Sequence, residues 1–233
     1  GSDSFADDGV VQTALRDIKK RFPNVFLITD VCFCEFTSHG HCGIIKNDSL
    51  DNDITLEYIQ KQVVSHAKAG ADMVAPSGMI DGSVKYIRKA LDANGFSSLP
   101  ILSYSVKFAS SFYSPFRDAA ESAPKYGNRK NYQMDFKNSN EAIREVALDI
   151  KEGADMVMVK PGLPYLDIIK SIKQNFKIPV MAYQVSGEYS LLSNGVEKKL
   201  IDKSVILESL IAFKRAGANA IVSYYADKLD KIL

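Results

Sequence analysis

One pattern occurs three times in this chain: Lys68-Ala-Gly-Ala-Asp-Met-Val-Ala-Pro-Ser77, Lys151-Glu-Gly-Ala-Asp-Met-Val-Met-Val-Lys160 and Arg215-Ala-Gly-Ala-Asn-Ala-Ile-Val-Ser-Tyr224. Each copy reads as a helix end running into a strand. The basic residue suits the last helical turn, facing the negative end of the dipole, and Gly70, Gly153 and Gly217 suit the left-handed position just past it. The apolar runs that follow lack polar alternation, as parallel strands covered on both faces do. Leu99-Pro-Ile-Leu-Ser-Tyr-Ser-Val-Lys107 and Ile178-Pro-Val-Met-Ala-Tyr-Gln-Val-Ser186 are two further runs. Both open with proline, which fits a first strand residue. Val25-Phe-Leu-Ile-Thr-Asp-Val31 makes a sixth.

Segments with helical spacing lie between the runs, at 10–21, 54–69, 81–93, 140–152, 164–175 and 203–216. In the second, Ile54, Tyr58, Ile59, Val63 and Ala67 recur at three or four residues and form one stripe. Repeated alternation of strand and helix means a parallel sheet with right-handed crossovers, doubly wound or closed as a barrel. No G-x-G-x-x-G turn or P-loop occurs, which disfavours a nucleotide fold. The expected fold is therefore α/β, a TIM (β/α)8 barrel, with residues 1–233 as its single domain. Such a barrel has eight strands in about 250 residues. Six are legible here, so the first two strands are expected to be absent from this chain.

The working residues of a barrel occupy its C-terminal strand ends and the loops after them. In order, these ends are Asp30-Val-Cys32-Phe-Cys34, Pro76-Ser77, Lys107, Lys160, Ser186 and Tyr224-Tyr225. The three cysteines of the chain, Cys32, Cys34 and Cys42, all fall on one strand end and its returning loop. With no secretory signal at the acidic N-terminus, such a cluster reads as metal or redox chemistry rather than a disulfide framework. Three soft ligands suit zinc, and an open fourth position marks a catalytic site. A structural zinc completed by His39 or His41, or three unliganded thiols, fits the same spacing. His66 sits on a helix and has no expected role.

Lys107 and Lys160 each end an apolar strand, so both ammonium groups are expected in the mouth of one barrel. Desolvation and a second cation nearby lower a lysine pKa and leave an amine able to attack a carbonyl. That is a Schiff-base arrangement; an ion pair with a strand-end acid such as Asp30 is the plainer alternative. Residues 108–139 exceed the usual length of a βα connection and read as a lid. They carry Phe112, Tyr113, Phe116, Tyr126 and Tyr132, with Arg117, Arg129 and Gln133 among them. Arginine forks match carboxylates, so an acidic substrate is expected, against the alternative of a solvated loop.

Charge narrows the partner. With 29 Lys+Arg against 28 Asp+Glu and no basic block, nothing neutralises a phosphate backbone or docks on an anionic bilayer. No run approaches the roughly 20 apolar residues that cross a bilayer. A small-molecule ligand and a cytoplasmic location are expected, without nucleic acid or membrane.

The motifs Asp-Val-Cys-Phe-Cys-Glu-Phe-Thr-Ser-His-Gly-His-Cys-Gly (30–43), Ser-Val-Lys-Phe-Ala-Ser-Ser-Phe-Tyr-Ser-Pro-Phe-Arg-Asp-Ala-Ala (105–120), Met-Val-Met-Val-Lys-Pro-Gly-Leu-Pro-Tyr-Leu-Asp (156–167) and Val-Ser-Gly-Glu-Tyr (185–189) closely resemble the porphobilinogen synthase family, also called 5-aminolevulinic acid dehydratase. The resemblance runs along the whole chain and implies that an N-terminal arm is absent together with the two strands. It implies condensation of two 5-aminolevulinate molecules to porphobilinogen with loss of two waters, in heme biosynthesis. Lys160 would form the Schiff base with the substrate that becomes the propionate side, and Lys107 would engage the other substrate. Cys32, Cys34 and Cys42 would hold a catalytic zinc; magnesium-only members have acids there. Arg117, Arg129 and Gln133 would hold one substrate carboxylate, Ser186 and Tyr224 the other. Asp30 and Ser77 would line the pocket, with Asp30 in proton transfer. Glu145 falls where many bacterial-type members bind an allosteric magnesium at a subunit interface, though a solvated helix glutamate is the plainer reading. The family is usually a homo-octamer.

Two other readings compete. A class I aldolase on the same barrel explains one lysine, but not the clustered cysteines beside a second lysine and an arginine-bearing lid. A zinc-stabilised binding module or an inactive zinc-binding fragment would explain the cysteines alone.

Overall fold

A computed structural model describes residues 1–125 and 127–232. Tyr126 of the expected lid, and Leu233 at the end of the expected domain, lie outside the described residues. The elements run α1 (Val10–Arg21), β1 (Ile28–Val31), β2 (Ile45–Lys46), β3 (Ser49–Leu50), α2 (Asn52–Ala69), β4 (Met73–Pro76), α3 (Ser83–Ala93), β5 (Leu102–Lys107), α4 (Ser114–Ala119), α5 (Asn140–Glu152), β6 (Met156–Lys160), α6 (Leu166–Asn175), β7 (Val180–Gln184), α7 (Ser186–Glu197), α8 (Val205–Ala216) and β8 (Ala220–Ser223). No helix among the described residues is long and apolar enough to cross a membrane.

The repeated pattern folds as its chemistry dictates. Gly70, Gly153 and Gly217 take φ of 105°, 110° and 118°, each just past a helix. The acidic or amide residue two positions later sets strand register. Asp72 accepts a hydrogen bond from the Leu27 N–H at 2.7 Å, Asp155 from the Ile101 N–H at 2.9 Å and Asn219 from the Val180 N–H at 3.0 Å. In return, the N–H of Asp72, Asp155 and Asn219 donates to the carbonyl of the same partner. Each copy thus pins the start of its own strand to the start of an earlier one.

Helix bounds depart from the periodicity where caps intervene. Helix α2 starts earlier than expected because the Asp51 side chain accepts from the Ile54 N–H at 2.9 Å. Its buried stripe is Leu56, Ile59, Val63 and Ala67, while Ile54 and Tyr58 are only partly covered. Helix α6 starts later because Leu163–Tyr165 form a 3-10 turn. Helices α4 and α7 and the β2–β3 hairpin were not expected. In α7, Ser186, Gly187, Ser190, Ser193, Asn194 and Gly195 dilute any apolar stripe.

The chain forms two compact units. The first comprises Gly1–Tyr104, Ser122–Tyr132 and Ala147–Asp155. Here β1 pairs parallel with β4, and Val74 bridges Ile101. Val31, Val63, Val74, Val84, Ile87 and Leu91 fill its core. Strand β1 is exposed at Ile28 and Asp30, so only one of its faces carries the expected cover. The second unit comprises Ser105–Glu121, Gln133–Val146 and Met156–Leu233. Its strands follow the order β5-β6-β7-β8, with β6–β7 and β7–β8 parallel. Val157, Val159, Val180, Ala182, Ile169 and Phe213 are fully buried there, and each large apolar side chain so placed contributes about 1.5–3 kcal/mol.

Candidate active site and metal centre

In the first unit, β1 delivers Cys32 and Cys34 at its end, and the chain returns over them to Cys42. The return is stitched to α2. Thr55 Oγ1 accepts from the Ile44 N–H at 2.9 Å and donates to the Asp51 carbonyl at 2.6 Å. The chain passes so close that a Cβ on Gly43 would lie 2.7 Å from Thr55 Oγ1, so only glycine fits beside Cys42. From α2, the Gln62 amide donates to the Cys32 carbonyl at 3.1 Å.

The three sulfurs lie within 4.8 Å of one another, and all three cysteines are buried. Cys32 and Cys34 are 3.3 Å apart, and no disulfide joins any of the three. Hydrogen bonding to Cys32, then to Cys42, and then burial push the Cys34 thiol far up. The Cys34 thiol therefore keeps its proton unless a cation compensates it. That donor set fits a soft divalent metal, which deprotonates coordinating thiols outright.

Neither His39 nor His41 joins this group. The His41 N–H donates to His39 Nδ1 at 3.1 Å, and His41 Nδ1 meets the Tyr132 hydroxyl at 3.0 Å. Burial and then Cys42 push the Tyr132 phenol up. Arg129 is 8% exposed and donates to the carbonyls of Gly40 at 2.8 Å and Ser122 at 2.6 Å. Burial lowers its pKa, but Cys42 and Cys34, as thiolates, more than offset that and hold the guanidinium up. Asp30 and Ser77 end neighbouring strands, and the Ser77 hydroxyl donates to the Asp30 carboxylate at 2.6 Å.

In the second unit, Lys107 and Lys160 end the adjacent strands β5 and β6. The Phe108 N–H donates to the Lys160 carbonyl at 3.0 Å, which fixes the two lysines in register. Lys107 is buried and Lys160 partly so. The Lys160 ammonium stands 4.1 Å from the centre of the Tyr183 ring and 5.8 Å from that of Tyr113. The Tyr113 hydroxyl donates to the carbonyls of Phe108 at 2.8 Å and Lys160 at 3.1 Å. Ring faces at these distances stabilise positive charge, as an iminium at this nitrogen would carry.

Other expected residues lie in the same unit. The Arg117 guanidinium lies 5.5 Å from the Tyr113 ring. The Met134 N–H donates to the Lys107 carbonyl at 3.1 Å, which carries Gln133 in beside it. Gln133 is 4% exposed, and its amide has no hydrogen-bond partner among the described residues. Ser186 opens α7, and its hydroxyl accepts from the Phe116 N–H at 3.1 Å. Tyr224 is 40% exposed and packs on Tyr189, with ring centres 5.5 Å apart. Glu145 is partly exposed on α5 and belongs to no group of three metal-ligating side chains among the described residues. Tyr183 and Glu188 were not singled out from the sequence, and Tyr113 was named only among the lid aromatics. Only Glu188 left a usable signal, a glutamate at the third position of a helix.

The chain is α/β, with two lysines on adjacent strand ends in one unit and three clustered thiols in the other. A family model described as delta-aminolevulinic acid dehydratase matches residues 1–232. Delta-aminolevulinic acid dehydratase of Archaeoglobus fulgidus is 55% identical over 233 residues, which is 100% of this chain and 72% of that protein. The Bacillus subtilis protein of the same name is 49% identical over 234 residues, again 100% of this chain and 72% of the relative. The crystal structure of delta-aminolevulinic acid dehydratase (porphobilinogen synthase) from Toxoplasma gondii ME49, in complex with the reaction product porphobilinogen, matches with a TM-score of 0.97 and 47% identity. That match covers 98% of this chain and 66% of the Toxoplasma chain. The chain belongs to the delta-aminolevulinic acid dehydratase family, and its fold class is the α/β barrel expected from the sequence.

Proposed function

We propose that the protein is a porphobilinogen synthase, a lyase that condenses two 5-aminolevulinate molecules to porphobilinogen with loss of two waters. The observation that carries this reading, within the family, is the lysine pair on adjacent strand ends, one of them caged by Tyr183 and Tyr113. Lys160 attacks the ketone of the first substrate and forms an iminium with release of water. The iminium draws electrons from the neighbouring carbon and so promotes carbon–carbon bond formation. Lys107 engages the second substrate, and holding both reactants in place supplies much of the rate.

Arg117, Arg129 and Gln133 bind one substrate carboxylate in this proposal, and Ser186 and Tyr224 bind the other. Residues 108–139 act as the lid, and residues 1–233 as one domain. Asp30, paired with Ser77, moves protons. Cys32, Cys34 and Cys42 hold zinc, which supplies Lewis-acid assistance when bound. Glu145 contributes to an allosteric magnesium site in a cytoplasmic homo-octamer. An aldolase with a single lysine would leave Lys107 and the thiols without a role.

The test is to incubate the protein with 5-aminolevulinate, reduce with borohydride and map the adduct by peptide mass spectrometry. It is run on this chain and on one extended N-terminally to the length of its relatives. An adduct on Lys160 in either is expected. No adduct in either would sink the assignment.

A further inference from the structure

Glu188 has no part in the chemistry above, yet it is 2% exposed. Both of its oxygens are occupied by backbone donors. Oε1 accepts from the Leu163 N–H at 2.6 Å, and Oε2 accepts from Val185 at 2.6 Å and Gly162 at 3.4 Å. A buried carboxylate is tolerated only where such bonds replace its water. Burial pushes its carboxyl up, while the N–H groups of Val185, Leu163 and Gly162 pull it down.

The bond to Val185 alone would be ordinary helix capping, since Glu188 is the third residue of α7. Capping does not require the second oxygen to reach a different loop. Gly162 and Leu163 follow Lys160 by two and three residues, and Val185 immediately precedes Ser186. One carboxylate therefore joins the loop leaving the lysine to the turn that presents the serine.

We propose that Glu188 is a positioning residue for the condensation, tying the loop after Lys160 to the turn that carries Ser186. It thereby holds the Schiff-base amine and a carboxylate-binding hydroxyl at a set separation. The inference rests on the function proposed above.

The experiment measures the borohydride-trapping rate of Lys160 against 5-aminolevulinate concentration in wild type, Glu188→Gln and Glu188→Asp. It uses whichever of the two chains yields the wild-type adduct. Glutamine keeps one acceptor oxygen and so releases one of the two loops. Glu188→Gln should slow trapping at saturating substrate about 10- to 100-fold, the scale set by sub-ångström to ångström misplacement, and should keep the near-UV circular dichroism of wild type. Glu188→Asp keeps both oxygens on a shorter arm and should recover part of the rate. A wild-type trapping rate in Glu188→Gln would overturn the proposal. So would equal losses in both variants that track loss of the near-UV signal, since that is collapse of the fold rather than mispositioning. Failure of wild type to trap counts against the enzyme assignment, whereas normal trapping in Glu188→Gln counts only against Glu188.

Discussion

Cys32, Cys34 and Cys42 reach their positions through a loop, whereas Lys107 and Lys160 reach theirs through strand register. In the first unit, the return to Cys42 depends on side-chain stitches from Thr55, Gln62 and Arg129 to backbone groups. In the second, the lysines need only that β5 and β6 pair and that the strands end together. Register is the sturdier device, because it is shared over every rung of a sheet. The loop can be retuned by single contacts.

The largest effect expected tests the strand side. Lys160→Ala should lower kcat for porphobilinogen formation by about 10⁴-fold or more, as loss of a covalent nucleophile does, with urea stability close to wild type. A variant that loses stability in step with activity would show that the lysine braces the sheet instead. On the loop side, Cys42→Ala should abolish stoichiometric zinc binding by elemental analysis. It should reduce turnover by more than the roughly 10–100-fold that an outer-sphere partner is worth, while the far-UV circular dichroism persists. Loss of the helical signal with the metal would make the site structural, and the contrast between the two units would fail.

His66 sharpens the comparison from within the first unit. It is fully buried on α2, with Nδ1 3.1 Å from the Thr29 hydroxyl of β1, and burial pushes its pKa down to about 4. Unfolded, the imidazole titrates near 6.5, so below that pH the unfolded chain takes up a proton that the folded chain refuses. Stability contributed by the neutral ring is therefore present above about pH 6.5 and is lost as pH falls toward 4. The loss is about 2 kcal/mol by pH 5. Urea midpoints at pH 7 and pH 5 should diverge in wild type and converge in His66→Gln; parallel behaviour would discard the idea. The smallest effect concerns register itself. Asp155→Ala removes the bond from the Ile101 N–H but leaves the reciprocal backbone bond. Denaturant titration should show a cost of about 1 kcal/mol, and no measurable change would mean that sheet pairing alone sets the register.

The strand–helix alternation, the C-terminal glycines and the cysteine cluster were legible in the sequence because each is a local pattern with a local cause. Helix α7 was not, since its glycines and serines carry no stripe and it is held by packing and by Glu188. Nor was Tyr183, which looks like any apolar-run aromatic until its strand sets its ring against the Lys160 ammonium; Tyr113 was legible only as one of the lid aromatics, not as a neighbour of Lys160.

By itself the sequence determined the order of elements, the strand ends that bear reactive groups and the three-thiol spacing, because propensity, capping and ligand type act over a few residues. Only the tertiary structure decided that Lys160 stands in an aromatic cage, that Arg129 turns to Gly40 and Ser122, and that Glu188 joins two loops. Each of these depends on atoms distant in sequence, whose separation is set by packing and strand pairing rather than by any local preference.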